Sequence, residues 1–223
     1  MLELPKGGNA PLPSTPVHVT LSWTPKAGSP QCDLSALALA ANGKVDSDSD
    51  FVFYNAPSHP TGRLSHRGPV RGPGTDTVEV DLSDLPARID RVVLAASADG
   101  APFARVGAMR VTVSERAGVP LVTSVVAGTA QTALLIVELY RRAGAWKVRA
   151  VVAGYADGLS GLARDFGIHI DAPTPAPARP ARPAPVPAGA QPHHAPVLTP
   201  AARSTQADGI DWMNPPVPAG YES

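Results

Sequence analysis

Apolar and polar residues alternate along much of the first 155 residues, and this two-residue period is typical of strands with one buried face. The clearest examples are residues 17–23 and 77–82. Residues 89–96 are almost wholly apolar and rich in branched side chains, which predicts a central strand. Further strands are predicted over residues 33–40, 51–54, 106–114 and 119–126.

The strongest local signal is a hairpin over residues 133–152. Its predicted inward faces carry Ala133, Leu135, Val137 and Leu139 on the first strand, and Trp146, Val148, Ala150 and Val152 on the second. Two strands of matched polarity joined by a short link that contains Gly144 predict a hairpin with one buried face.

Helical periodicity is confined to residues 158–166, where Leu159, Leu162 and Phe166 recur at helical spacing. Many short strands separated by Gly, Pro, Asp and Ser turns indicate a sandwich. We therefore predict a mainly all-β fold, a two-sheet antiparallel β-sandwich with one or two short helices.

Proline content sets the predicted domain boundary, because 13 of the 26 prolines follow Asp171. The pattern predicts a folded domain over residues 1–171 and a disordered Pro/Ala-rich linker over residues 172–207. Aromatic residues return in residues 208–223, which predicts a docking peptide for a partner or for the sandwich itself. Its proposed contact residues are Trp212, Pro215, Pro216 and Tyr221.

Composition narrows the function classes. The net charge is zero, which gives no reason to expect nucleic acid as a partner. The single cysteine, Cys32, fits a reducing compartment, and the sequence shows neither a secretory signal nor an apolar run long enough to span a membrane. We expect a cytoplasmic protein, located at most peripherally on the inner face of the membrane.

Five short landmarks follow one another along the chain. Residues 4–9 read LPKGGN, and residues 43–55 read GKVDSDSDFVFYN. They are followed by ELYRR at 138–142, WK at 146–147, and GY at 154–155 with GL close behind. Together, over about residues 2–170, these landmarks and their order resemble the TerD family of bacterial tellurium-resistance and stress proteins.

The resemblance implies a two-sheet β-sandwich, calcium binding, and a role in resistance to tellurium oxyanions, oxidative stress or phage. It implies no catalytic activity. The implied partners are proteins, including other TerD-like proteins or a membrane-associated stress complex.

Two acidic patterns of the family bear on calcium, which needs six to eight oxygen ligands. Asp33 matches the second aspartate of the first pattern, whereas Gln31 replaces the first aspartate. In the loop before Thr77, Pro69 and Val70 stand where the family has Asp-Asn, and Asp76 is the remaining carboxylate. We expect a weak or lost calcium site with Asp33 and Asp76 as its carried-over ligands, or, as the alternative, two aspartates that cap turns.

Asp46, Asp48 and Asp50 form a second acidic cluster, which is either a cation site on a strand edge or a solvated loop. A basic strand face, which could meet an acidic partner or solvent, is formed by Lys147, Arg149, Arg141 and Arg142. Cys32 is expected to be a buried thiol, and the pair His193-His194 a spacer.

Ser, His and Asp residues occur without a G-x-S-x-G motif, and His18, His59 and His66 have no evident catalytic arrangement. We therefore predict a non-catalytic binding or assembly module of the stress response. A calcium sensor of the usual family type is the alternative, and a hydrolase the more distant one.

Overall fold

The structure is a computed structural model that describes residues 1–70, 72 and 74–168. The predicted docking peptide, with Trp212, Pro215, Pro216 and Tyr221, lies outside the described residues, as does the whole of the predicted linker. No helix in the described ranges is long and apolar enough to cross a membrane.

The first sheet has six strands: β1 (Leu2–Glu3), β3 (Pro16–Trp23), β6 (Leu64–Gly68), β7 (Thr75–Asp81), β9 (Met109–Glu115) and β10 (Pro120–Val126). Their spatial order is β1-β10-β9-β3-β7-β6. All pairs are antiparallel except the first, in which β1 runs parallel to β10. The central strands carry clean alternation, so Val17, Val19 and Leu21 are buried while His18 and Ser22 are not.

The second sheet also has six strands: β2 (Asn9–Pro11), β4 (Cys32–Leu39), β5 (Phe51–Val52), β8 (Arg91–Ala98), β11 (Ala133–Arg142) and β12 (Ala145–Tyr155). Their order is β2-β12-β11-β8-β4-β5, and every pair is antiparallel. The two-sheet antiparallel sandwich predicted from the alternation is therefore confirmed.

A core of Val, Leu and Ala side chains fills the space between the sheets. Phe103, in a 3-10 turn before β9, and Trp146 are its main aromatic members. The indole Nε1 of Trp146 donates to the Leu82 carbonyl oxygen at 2.9 Å and ties β12 to the end of β7. Because a buried indole N–H needs an acceptor, this bond fixes the orientation of the Trp146 ring and also links the two sheets.

The single α-helix of the described residues, α1 (Gly158–Phe166), has the bounds that its periodicity predicts. It packs on the outer face of the second sheet through Leu162, which is fully buried. Beneath it lie the apolar side chains of three strands: Leu37, Leu39, Val93, Ala95 and Leu135. Half of this sheet is thus buried on both faces, which explains why β8 is almost continuously apolar.

The predicted inward face of β11 is wrong at Leu135 and, by the same alternation, at Ala133. A bulge between Leu135 and Val137 shifts the register against both β8 and β12. Leu135 therefore faces α1, whereas Val137 and Leu139 face the core. A bulge adds one residue to the alternation, so side chains on its two sides lie on opposite faces.

Candidate functional site

The two calcium candidates lie at the same end of the sandwich, on opposite sheets. Asp33 is the second residue of β4 and Asp76 the second residue of β7. The Leu34 amide, next to Asp33, donates to Asp76 Oδ2 at 2.7 Å. The fold thus brings the β4 backbone beside Asp33 to the carboxylate of Asp76, whereas alternation along β4 places the Asp33 side chain on the outer face with Leu37 and Leu39.

Asp76 is a buried carboxylate that three protein donors already engage. Besides the Leu34 amide, Oδ2 lies 2.9 Å from His66 Nε2, and Oδ1 accepts from the Thr77 amide at 3.0 Å. Because an ionised carboxylate can only accept hydrogen bonds, His66 Nε2 carries the proton in this contact. Asp76 therefore accepts a hydrogen bond from the buried backbone of β4 and joins the two sheets, and does not cap a turn.

The loop before β7 is short and held by backbone geometry. Pro69 and Val70 are exposed at its tip, and neither offers a carboxylate. Gly74 has a positive φ of 76°, and a Cβ there would lie 2.4 Å from the Trp23 carbonyl oxygen. Only glycine fits this close approach, so the loop is anchored against β3 immediately before Asp76.

The donor set at this end differs from that of a calcium loop. Calcium is bound by six to eight oxygens, several of them carboxylates that are free to turn toward the ion. Here the oxygens of Asp76 accept N–H groups, and His66 occupies the space next to Oδ2. Within the described residues, no three His, Cys, Asp or Glu side chains are grouped so that they could hold a metal ion.

The second acidic cluster is not a strand edge, and only part of it is solvated. A 3-10 turn spans Asp48–Asp50, and Asp50 is fully buried. Its carboxylate accepts hydrogen bonds from the amides of Asp46 and Ser47, from His59 Nε2 at 2.7 Å and from Arg88 Nη2 at 3.0 Å. Asp50 is thus a buried anchor, which the prediction of a solvated loop did not include.

Electrostatics fix the charge state of this anchor. Burial by itself raises the pKa of Asp50, but hydrogen bonds from His59, Arg88 and the Ser47 backbone outweigh it and lower the pKa below the usual aspartate value. Contact with Asp50 in turn raises the pKa of Arg88. The carboxylate and guanidinium are both charged at neutral pH, and together they hold the segment around the 3-10 turn against the start of β8.

Cys32 begins β4 and is buried, as predicted. Burial, together with the negative charge of Asp33, raises the pKa of the thiol to about 12. The thiol is therefore protonated at neutral pH, and in this form it is a poor nucleophile. Of the histidines weighed above, His66 lies on β6. His59 is buried in a loop, where its Nδ1 lies 2.7 Å from Thr61 Oγ1.

The predicted basic strand face is correct for three of its four residues. Arg141 points to the other side, where its guanidinium lies 4.7 Å from the Trp146 ring and donates to the Leu85 carbonyl oxygen. Arg142, Lys147 and Arg149 share the outer face of β11 and β12. The same outer face also holds Glu138, to which the sequence analysis gave no functional role.

Glu138 lies on this outer face and is buried beneath two arginines. Its Oε1 accepts from Arg91 Nη1 at 2.9 Å, and its Oε2 accepts from Arg149 Nε at 2.9 Å and from Arg149 Nη2. The sequence signal for such a residue is a lone carboxylate within an apolar strand, because a buried charge persists only when it is paired.

Two six-stranded sheets packed face to face, with buried polar contacts that join the sheet ends, define the class of protein as a mainly antiparallel β-sandwich. Within that class the chain belongs to the TerD family, since the TerD domain matches residues 1–166.

Relatives and solved structures agree with this assignment. The chain is 36% identical over 191 residues to Tellurium resistance protein TerD of Alcaligenes sp, which covers 75% of this chain and 98% of that protein. It is 35% identical over 150 residues to General stress protein 16U of Bacillus subtilis (strain 168), covering 62% of this chain and 78% of the relative. A crystal structure of a homologue of telluride resistance protein (TerD) from Streptomyces coelicolor A3(2) matches with a TM-score of 0.50 and 25% identity, over 63% of this chain and 90% of that one.

Proposed function

We propose that this chain is a non-catalytic binding or assembly module of the tellurium and general stress response, in which calcium affinity is weak or lost. The names of the relatives support the stress response, because they include tellurium resistance, general stress and chemical-damaging agent resistance proteins. The binding role and the calcium deficit rest on the geometry of this chain.

The proposed weak or lost calcium affinity rests on the hydrogen bonds that Asp76 accepts. A calcium ligand must offer lone pairs to the ion, whereas those of Asp76 accept the N–H groups of Leu34, Thr77 and His66. Two of these N–H groups occupy Oδ2 and one occupies Oδ1, so bidentate binding of the ion would displace at least one buried donor, which costs about 1–3 kcal/mol per donor left unsatisfied. Gln31, Pro69 and Val70 add no negative charge that would offset this cost.

Calcium titration of the full chain tests this part. We expect no binding heat by calorimetry, and no shift of the melting temperature when calcium is raised to millimolar concentration. A saturable heat with a raised melting temperature would overturn the proposal and identify a calcium sensor of the usual family type.

A variant at His66 tests whether the contacts of Asp76 exclude calcium. His66→Asp removes the donor next to Asp76 Oδ2 and places a second carboxylate there, so we expect it to gain calcium-dependent stabilisation. If the wild-type protein and this variant respond to calcium equally, His66 does not exclude the ion.

The stress-response part is tested in cells. A strain of the source bacterium that lacks this gene should lose tolerance to potassium tellurite, and the intact chain expressed from a plasmid should restore it. Unchanged growth of the deletion strain on tellurite and on peroxide would contradict the proposed role. The Asp50→Asn variant loses the buried charge that His59 and Arg88 contact, and it shows how a folding defect alone changes tellurite tolerance.

A further inference from the structure

The outer face of the second sheet is divided into two halves of opposite character. One half, formed by β4, most of β8 and the start of β11 at Leu135, is apolar and covered by α1. The other half, formed by β11 from Glu138 onward and by the first part of β12, is charged. We call this charged half, together with the adjoining end of β8, the basic face; its cations are Arg91, Arg142, Lys147 and Arg149.

The basic face concentrates positive charge on a chain whose net charge is zero. Glu138 lies beneath it and offsets one of the four cations, and Asp90 at its margin pairs with Arg91 at 3.2 Å. Arg142 is exposed and Lys147 half-buried, and neither makes an ion pair within the described part of the chain. A local excess of positive charge therefore remains open to solvent.

Two of the cations are held in fixed orientations. Glu138 accepts hydrogen bonds from Arg91 and Arg149, and the guanidinium of Arg149 also lies 5.5 Å from the Tyr140 ring. Because these guanidinium groups are already ordered, a ligand that pairs with their remaining N–H donors loses less side-chain entropy on binding.

Strand geometry sets the spacing of the positive charges. Lys147 and Arg149 are two residues apart on one strand, about 7 Å, and Tyr140 lies across from Lys147. An extended peptide has the same repeat, so acidic side chains at alternate positions would meet successive cations. The strand segments of this face contribute none of the large exposed apolar side chains of the described residues, which are Met1, Leu2, Tyr54, Val70, Val119, Val125 and, on α1, Leu159.

We propose that the basic face is a docking surface for an extended acidic segment of a partner protein. This deepens the proposed binding role by naming the surface and the chemistry of the partner, and it rests on that role. Charge complementarity favours an acidic segment. A membrane surface is less well matched, because interfacial binding also uses exposed apolar side chains.

The test measures fluorescence anisotropy of a labelled twelve-residue peptide of alternating glutamate and serine, titrated with the full chain. We expect saturable binding that weakens about tenfold in the Arg142→Glu/Lys147→Glu double variant, and that weakens steeply as salt is raised. The matched control is Lys26→Glu/Arg116→Glu, which makes the same charge change on loops of the other sheet and should bind like the wild type.

Each outcome decides the proposal. Failure of the wild-type chain to bind the peptide at low salt overturns it, and so does equal weakening in the two double variants. Peptide binding at the level of a lysine-serine control peptide also overturns it. Binding to phosphatidylserine vesicles that is lost in Arg142→Glu/Lys147→Glu, without peptide binding, assigns the face to lipid and overturns the protein partner.

The peptide result is separable from the proposed function. Loss of peptide binding with preserved tellurite tolerance sinks the docking surface alone, whereas an unchanged tellurite phenotype in the deletion strain sinks the stress role alone. Circular dichroism and melting temperature of both double variants show whether the fold is intact.

Discussion

At the residue scale, the buried carboxylates of this protein act as anchors for backbone and cationic groups. Asp50, Asp76 and Glu138 each have less than 5% of their surface exposed, and each accepts at least three hydrogen bonds. A buried charge is tolerated only with such pairing, and removing its partners costs more than the pair contributes. Substitution of these anchors should therefore be severe.

Asp50 should make stability depend on acid pH. Its pKa is lower in the folded than in the unfolded protein, so its contribution is complete above the unfolded pKa of about 3.9 and is lost as the pH falls through the folded pKa. Asp50→Asn should lower the free energy of unfolding by about 3 kcal/mol at neutral pH. In acid, the free energy of unfolding of this variant should fall less steeply with pH than that of the wild type.

Urea unfolding of the wild-type protein and Asp50→Asn at neutral pH, at about pH 4 and at about pH 2.5 would measure this difference. Asp99→Asn, at an exposed position, is the control and should follow the wild type. An acid limb of the same slope in Asp50→Asn would show that this carboxylate is not the acid-sensitive group.

Asp76 should matter for stability whether or not calcium is present. Asp76→Ala leaves the buried N–H groups of Leu34, Thr77 and His66 without an acceptor and should cost about 3 kcal/mol. His66→Ala removes one of the three donors and should cost about 1 kcal/mol. Equilibrium denaturation in chelator and in millimolar calcium checks both values; a loss that appears only with calcium present would contradict this account.

At the scale of elements, α1 is a packing element whose two leucines differ in role. Leu162 is fully buried against the second sheet, whereas Leu159 is 39% exposed. Leu162→Ala should cost about 3 kcal/mol because it leaves a cavity above β4 and β8. Leu159→Ala, on the same helix, should change the free energy of unfolding by about 0.5 kcal/mol or less. Equal effects in thermal denaturation would mean that the helix does not dock as described.

The hairpin turn between β11 and β12 carries a residue that is poorly suited to it. Ala143 has a φ of 51° and Gly144 a φ of 79°, which are the left-handed conformations of a type I′ turn. Asparagine adopts this conformation more readily than alanine, so Ala143→Asn should stabilise the protein by about 0.5–1 kcal/mol. Gly144→Ala is the opposing control and should destabilise it; a melting temperature that is lowered by Ala143→Asn would rule out this turn type.

The sequence predicted elements wherever the signal was local. Alternation found β3, β7 and the β11–β12 hairpin, and helical spacing found both ends of α1. β1 has two residues, too few to show a period, and the strand predicted over residues 51–54 is confirmed over the two residues of β5 alone. The bulge beside Leu135 changed the face of that residue without changing the composition of the strand.

The candidate site was less predictable, because its contacts join distant positions. Asp50 meets Arg88 from 38 positions away, and Asp76 meets Leu34 from 42. The landmarks identified both aspartates as notable residues, but their hydrogen-bond partners depend on the packing of two sheets. Glu138 was missed as a functional candidate because a single acid in a strand has many explanations until its neighbours are known.

At the scale of the whole molecule, the N-terminal residues complete both sheets. β1 pairs with β10 at one edge, and β2 pairs with β12 at an edge of the other sheet. Leu4 and Ala10 from this segment are buried in the core. The first residues of the chain are therefore part of the domain.

Deletion of residues 1–11 should lower the melting temperature and promote association, because it uncovers backbone groups along β10 and β12 and exposes core side chains. Light scattering after size exclusion, together with thermal denaturation, measures both effects. Leu2→Ala, at a position 51% exposed, is the control and should remain close to the wild type. A truncated protein that stays monomeric at the same melting temperature would contradict this role.

The pairing of β2 with β12 also sets the order of events during synthesis. On the ribosome, Asn9–Pro11 emerges early, whereas its partner strand is not complete until Tyr155 has been made. The two sheets consist largely of contacts between distant parts of the chain, a topology that slows folding. The nascent chain must therefore hold unpaired strands until β12 has been translated, and closure of the domain comes late in its synthesis.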